Sequence, residues 1–69
     1  MEIRSYAKCE LAQAYAPDIT PRSAVHRLVS WLEFNEELME ALLATGYKKK
    51  QRILTVKQVE LIFDYLGNP

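Results

Sequence analysis

Cysteine is almost missing from this sequence: Cys9 is the only one in 69 residues, so no internal disulfide can form. One cysteine and one histidine, His26, leave a four-ligand structural zinc site short of ligands, and no other metal or cofactor is expected. Glycine is nearly as scarce. Gly46 and Gly67 both fall at expected helix ends, so there is no glycine-rich loop to cradle a phosphate. A Ser–His–Asp arrangement would have to use His26. Ser23 and Ser30 flank it on one helix, without a nucleophile elbow or an acid to orient the ring. Long apolar runs are absent too. No stretch of about 18 uncharged apolar residues could span a membrane, and the opening Met1–Tyr6 has no signal-like apolar core. A cytoplasmic location and no membrane partner are the expectation. A chain this short also struggles to enclose a substrate pocket of about 300 Å³, so neither an enzyme nor a small-molecule substrate is expected.

What remains is an ordinary globular composition. Hydrophobic residues make up 49% and charged residues 26%, which argues for one folded domain over residues 1–69 and against disorder. A domain of this size buries only about 60% of its unfolded surface, so its core is thin. Nine basic and nine acidic residues cancel, yet they are not mixed. Glu36, Glu37 and Glu40 form one acidic run, whereas Lys48, Lys49, Lys50, Arg52 and Lys57 form a stretch with no acid. The molecule is expected to be electrically polarised, its basic segment either a solvated loop or a phosphate contact.

Periodicity and capping residues predict a mainly α fold of about four short helices. The first runs from Ala7 to Ala16 with Ala7, Leu11, Ala14 and Tyr15 on one face, and Pro17 ends it. Cys9 on this helix reads as a buried or half-buried structural thiol. Thr20-Pro21 starts the second helix, which continues to Phe34 with Ala24, Val25, Leu28, Trp31 and Leu32 inward. Asn35 caps a third helix, in which Glu36 and Glu37 match the helix dipole, and Gly46 stops it. The acidic run reads as such a helix start and not as a metal site. Residues Tyr47–Leu54 form a basic connector. Ile53-Leu54 could pair with Ile3-Arg4 as a short two-stranded, winged-helix-like β element, or the segment could turn back on itself. Thr55 and Gln58 are spaced as a capping box for a last helix whose apolar stripe is Val56, Val59, Ile62, Phe63 and Leu66. Tyr6, Tyr47 and Tyr65 read as core or core-edge aromatics and not as base-stacking platforms.

The first half has the form of a helix-turn-helix. Small Ala12 allows close helix approach, Ile19 plugs the turn, and a capped second helix presents polar residues at its start. The turn is a residue or two longer than the tightest form. On this reading Arg22, Ser23, His26 and Arg27 face double-stranded DNA, while Lys48, Lys49, Lys50 and Arg52 grip the flanking backbone. Zero net charge weighs against it, because DNA affinity rests heavily on phosphate neutralisation.

Tyr6, Glu10-Leu11-Ala12, Tyr15, Pro17, Trp31, Leu38, Leu42, Gly46-Tyr47, Thr55, Val59, Ile62 and the ending Tyr65-Leu66-Gly67-Asn68-Pro69 resemble domain-of-unknown-function family 4248, small proteins of Bacteroides and its relatives. The resemblance covers essentially the whole chain and implies no particular activity. The family pattern more usually has an acid where this chain has Asn68. More distantly, a Glu-Leu-Ala helix, a turn and a second helix ending near Trp-Leu are similar to excisionase-like and MerR-type helix-turn-helix proteins, which implies DNA binding by analogy. Two functional expectations follow. The first is a small DNA-binding regulator or accessory factor. The second is a protein–protein interaction module or homodimeric adaptor without nucleic acid, because Met39, Leu43, Leu61 and Phe34 are more apolar surface than so small a core accommodates.

Overall fold

The computed structural model describes all of Met1–Pro69. Its order is β1 (Tyr6–Ala7), α1 (Lys8–Tyr15), α2 (Pro21–Phe34), α3 (Glu36–Ala44), β2 (Ile53–Leu54) and α4 (Val56–Leu66). The expected mainly α fold of four helices is therefore present. α1 and α2 pack together, α3 follows against α2, and α4 closes the bundle against α3. Leu11, Leu28, Leu32, Leu38, Leu42, Leu54, Val59 and Ile62 are fully enclosed at the centre. No helix is long and apolar enough to cross a membrane.

Local chemistry sets the helix boundaries. The Thr20 hydroxyl accepts from the Ser23 amide at 3.3 Å, with Pro21 in the first turn where its missing N–H costs nothing. Asn35 serves two helices. Its amide donates to the Trp31 carbonyl at 3.3 Å, closing α2, while its Oδ1 accepts from the Leu38 amide at 3.0 Å, opening α3. Gly46 sits at φ +89°, a left-handed conformation that a side chain would oppose, and this lets the Tyr47 amide return to the Leu42 carbonyl. At α4 both arms of the capping box form: Thr55 Oγ1 accepts from the Gln58 amide, and Gln58 Oε1 accepts from the Thr55 amide.

The β pairing differs from its expected register. β2 runs antiparallel to Tyr6–Ala7 and not to Ile3-Arg4, with Tyr6 opposite Leu54 and Ala7 opposite Ile53. Burial accompanies the three-residue shift: Tyr6 takes the place beside Leu54 in the core, with the larger aromatic side chain inside and Ile3 left exposed. The Ser5 hydroxyl then donates to the Leu54 carbonyl at 2.6 Å and extends the pairing by one residue. Because Ala7 is spent in the strand, α1 begins at Lys8.

Three burial expectations also need correcting. Cys9 is exposed, because the inward side of α1 is set by Lys8, Leu11 and Ala12 and Cys9 lies about 100° round from Lys8. Val56, at the very start of α4, is exposed. Trp31 lies at the edge of the core, 38% exposed, with its ring meeting Tyr15 edge to face at 5.9 Å.

Tyr15 itself ties the end of α1 to the end of α4, since its hydroxyl donates to the Gly67 carbonyl. Burial pushes the phenol up to about 12 from the ordinary 10.0. A raised acid binds its proton more tightly in the folded state. Its contribution is therefore whole below pH 10.0 and is lost as pH rises through about 12. Tyr15→Phe should lower stability by about 1 kcal/mol at neutral pH and make the alkaline loss shallower, read from urea unfolding at a series of pH values. An identical alkaline profile in the variant would show that Tyr15 does not carry this linkage.

Candidate nucleic-acid interface

The exposed side of α2 follows from its buried one. Ala24, Leu28 and Leu32 define the inward line. At 100° per residue, Arg22, Ser23, His26 and Arg27 lie within an arc of about 140° on the opposite side, and all four are exposed. Neither arginine is in an ion pair. The Thr20 hydroxyl donates to the Ser23 hydroxyl oxygen at 3.0 Å, so Ser23 shares in the helix cap and keeps its own hydroxyl proton for another acceptor. Two arginines, a histidine and a serine thus stand on the first two turns of one helix.

The basic connector is built from below by Lys8. The Lys8 amide donates to the Arg52 carbonyl at 2.7 Å, and its ammonium donates to the Lys49 carbonyl at 2.8 Å and the Tyr47 hydroxyl at 2.9 Å. One residue therefore grips the connector at both ends. Lys8 is only 5% exposed. Burial, with the neighbouring Lys49 charge adding to it, holds its ammonium below the ordinary lysine value. The Tyr47 phenol is pushed up, by burial first and then by Glu33, with Lys49 opposing.

The middle of the connector is a turn, with the Gln51 amide donating to the Lys48 carbonyl at 3.0 Å. The Gln51 side chain accepts from the Lys48 amide and donates to the Ile53 carbonyl and to Gln58 Oε1. Gln58, almost wholly buried, passes the tie to the Thr45 hydroxyl at 3.0 Å. No buried side-chain polar atom is left without a partner.

These bonds fix the connector's backbone and leave its cations outside. Lys48, Lys49, Lys50 and Arg52 are all exposed. Lys49 differs from the rest: its ammonium is 3.5 Å from Glu33 of α2, an exposed pair worth at most about 1 kcal/mol. Lys48, Lys50 and Arg52 are unpaired. Between the connector, the start of α1 and Val25 of α2 lies a shallow groove of about 450 Å³. Val25 is one turn on from Arg22, so the connector runs beside the Arg22 flank of the exposed α2 face. The structure therefore sets the two predicted groups of residues side by side. Glu33 thus stands against the connector, whereas Glu36, Glu37 and Glu40 continue from it around a hollow at the far end of α2.

Sequence reasoning missed Lys8 and Gln58 as buried positioning residues. Lys8 carried no signal beyond its place at a helix start, and Gln58 read only as a capping residue. No three His, Cys, Asp or Glu side chains converge as a metal-binding group.

The profile of domain of unknown function family DUF4248 matches residues 2–69, and the chain belongs to that family. No curated protein and no solved structure matches it.

The clamp makes a direct test possible. Lys8→Met keeps the apolar stem but removes the donor, leaving the Lys49 carbonyl and Tyr47 hydroxyl short of a partner. The variant should lose about 1–3 kcal/mol in urea unfolding, and amides of residues 48–52 should exchange faster than those of α4. Unchanged exchange in the connector would mean that Gln51 and Gln58 hold it without Lys8.

Proposed function

We propose that this family member binds double-stranded DNA as a small helix-turn-helix regulator or accessory factor in the cytoplasm. α2 enters the major groove and the connector rests on the adjacent phosphates. The observation that carries this reading is the set of five exposed, unpaired cations, Arg22, Arg27, Lys48, Lys50 and Arg52, on two neighbouring surfaces. Planar guanidinium groups on the first turns of a helix suit guanine O6/N7 or a phosphate. Ser23 and the α2 N-terminus suit a phosphate oxygen. His26 lies between the arginines, within reach of a base edge.

The neutral total charge is compatible with this because the charge is segregated. The acids at the far end of α2 repel the duplex there and orient the molecule so that the start of α2 and the connector approach first. Phosphate contacts by Lys48, Lys50 and Arg52 predict a slope of log K against log salt of about −3, steepening to about −4 to −5 where both arginines also neutralise phosphates. Lys49, held by Glu33, adds less than its neighbours. The alternative of a protein-binding module without nucleic acid is favoured by one observation: Phe34, at the end of α2, is 88% exposed.

Fluorescence anisotropy with labelled duplex DNA, titrated at low and moderate salt, separates the two. Micromolar binding that weakens steeply with salt is expected. Arg22→Ala combined with Arg27→Ala should cost about 1–3 kcal/mol per base contact removed. Neutralising Lys48, Lys50 and Arg52 together should reduce the salt slope by about three. Absence of binding at low salt would sink the DNA reading and leave the protein-binding one.

A further inference from the structure

We propose that a stripe along α2 into α3, Arg27–Trp31–Phe34–Glu36, is a two-fold interface for a second copy of this chain. Arg27, Trp31 and Phe34 are spaced i, i+4, i+7 and so lie on one line of the helix. All three are exposed. Phe34 and Trp31 border an open hollow that Leu66 of α4, Asn35 and Glu36 complete. Phe34 touches little of its own chain. An exposed aromatic ring beside an apolar hollow is a knob next to a hole of suitable chemistry.

The order of charges along the stripe selects the occupant. A cation stands at one end, an acid at the other, and apolar groups between them. A two-fold axis through the middle reverses the stripe, so Arg27 of one copy meets Glu36 of the other, twice, while each Phe34 enters the opposite hollow. A surface with this order is complementary to itself, the requirement for an isologous contact. Within one chain neither Arg27 nor Glu36 has an ion-pair partner. The equal numbers of acids and bases also leave no net repulsion between copies.

Three apolar side chains per copy are fewer than a tight dimer uses, so association should be weak in solution.

Sedimentation equilibrium without DNA, from low to high micromolar protein, tests the contact. The wild-type mass should rise toward twice the 8.0 kDa of one chain. Phe34→Ser, whose exposed ring contributes little to the core, should keep a wild-type circular dichroism spectrum and remain at the mass of one chain. Arg27→Glu and Glu36→Arg should each weaken association at least several-fold, and the double variant should regain it. A wild-type mass of one chain throughout, a Phe34→Ser protein that still pairs, or a double variant that does not regain pairing would each overturn the proposal. A particle that keeps growing beyond two copies would overturn it as well, since an isologous contact closes. Failure here leaves the DNA reading intact, because Lys48, Lys50 and Arg52 lie off the stripe and their neutralisation tests that reading alone.

Discussion

A buried ammonium organises the basic connector of this molecule. Between Tyr47 and Leu54, the two core residues that bracket the connector, no side chain is buried. Such a segment has little apolar area to hold it, and loops of this kind ordinarily move. Lys8 supplies the missing constraint by taking the carbonyls of Lys49 and Arg52 from beneath. The choice of a cation for this task is unfavourable on local grounds, since burial first and then Lys49 raise the cost of keeping the charge. The Lys49 carbonyl and the Tyr47 hydroxyl together offset that cost. They also mean that the connector has positive charge beneath it as well as on its surface, which strengthens its field toward an anion.

The second constraint is the amide chain Gln51–Gln58–Thr45, and it solves a different problem. The end of α3 and the start of α4 both leave backbone groups that need partners. Gln58 meets the α4 need through the capping box and then uses its amide nitrogen on Thr45, whose hydroxyl in turn donates to the Leu42 carbonyl at 2.6 Å. The connector is thus fastened to α1 on one side and to the α3–α4 junction on the other. In so small a domain this polar scaffold substitutes for the disulfide or metal that the composition excludes.

Helix boundaries were legible in the sequence because they depend on local chemistry. Thr20-Pro21, Asn35, Gly46 and the Thr55/Gln58 pair each act within four residues, and each does in the structure what its residue type requires. Exposure of the α2 face was legible for the same reason, since periodicity alone separates Arg22, Ser23, His26 and Arg27 from Ala24, Leu28 and Leu32. What failed depended on residues far apart in the chain. The strand register turns on Tyr6 competing with Ile3 for a place beside Leu54, and Cys9 is outside because Lys8 takes an inward position. Nothing near Lys8 announces that Tyr47 and Lys49 will stand over it, about 40 positions away. A lysine at a helix start looks solvated until its long-range partners are known.

One helix therefore carries two tasks, and the division follows from its length. α2 has 14 residues, about 21 Å, whereas α1 has eight and covers only part of it. The first two turns stand free of acids and beside the connector. On the last turn Leu32 stays inside the core, Trp31 lies at its edge and Phe34 turns outward. Arg27 falls at the boundary, so pairing of two copies and contact with a duplex would draw on the same side chain. Its five N–H donors can serve a carboxylate and a phosphate together, so the two events need not exclude each other. Where both occur, whichever contact forms first fixes Arg27 for the other, and the rotamer entropy otherwise lost in the second has already been given up. Apolar surface left at the end of α2 is then a means of ordering the charged surface at its start.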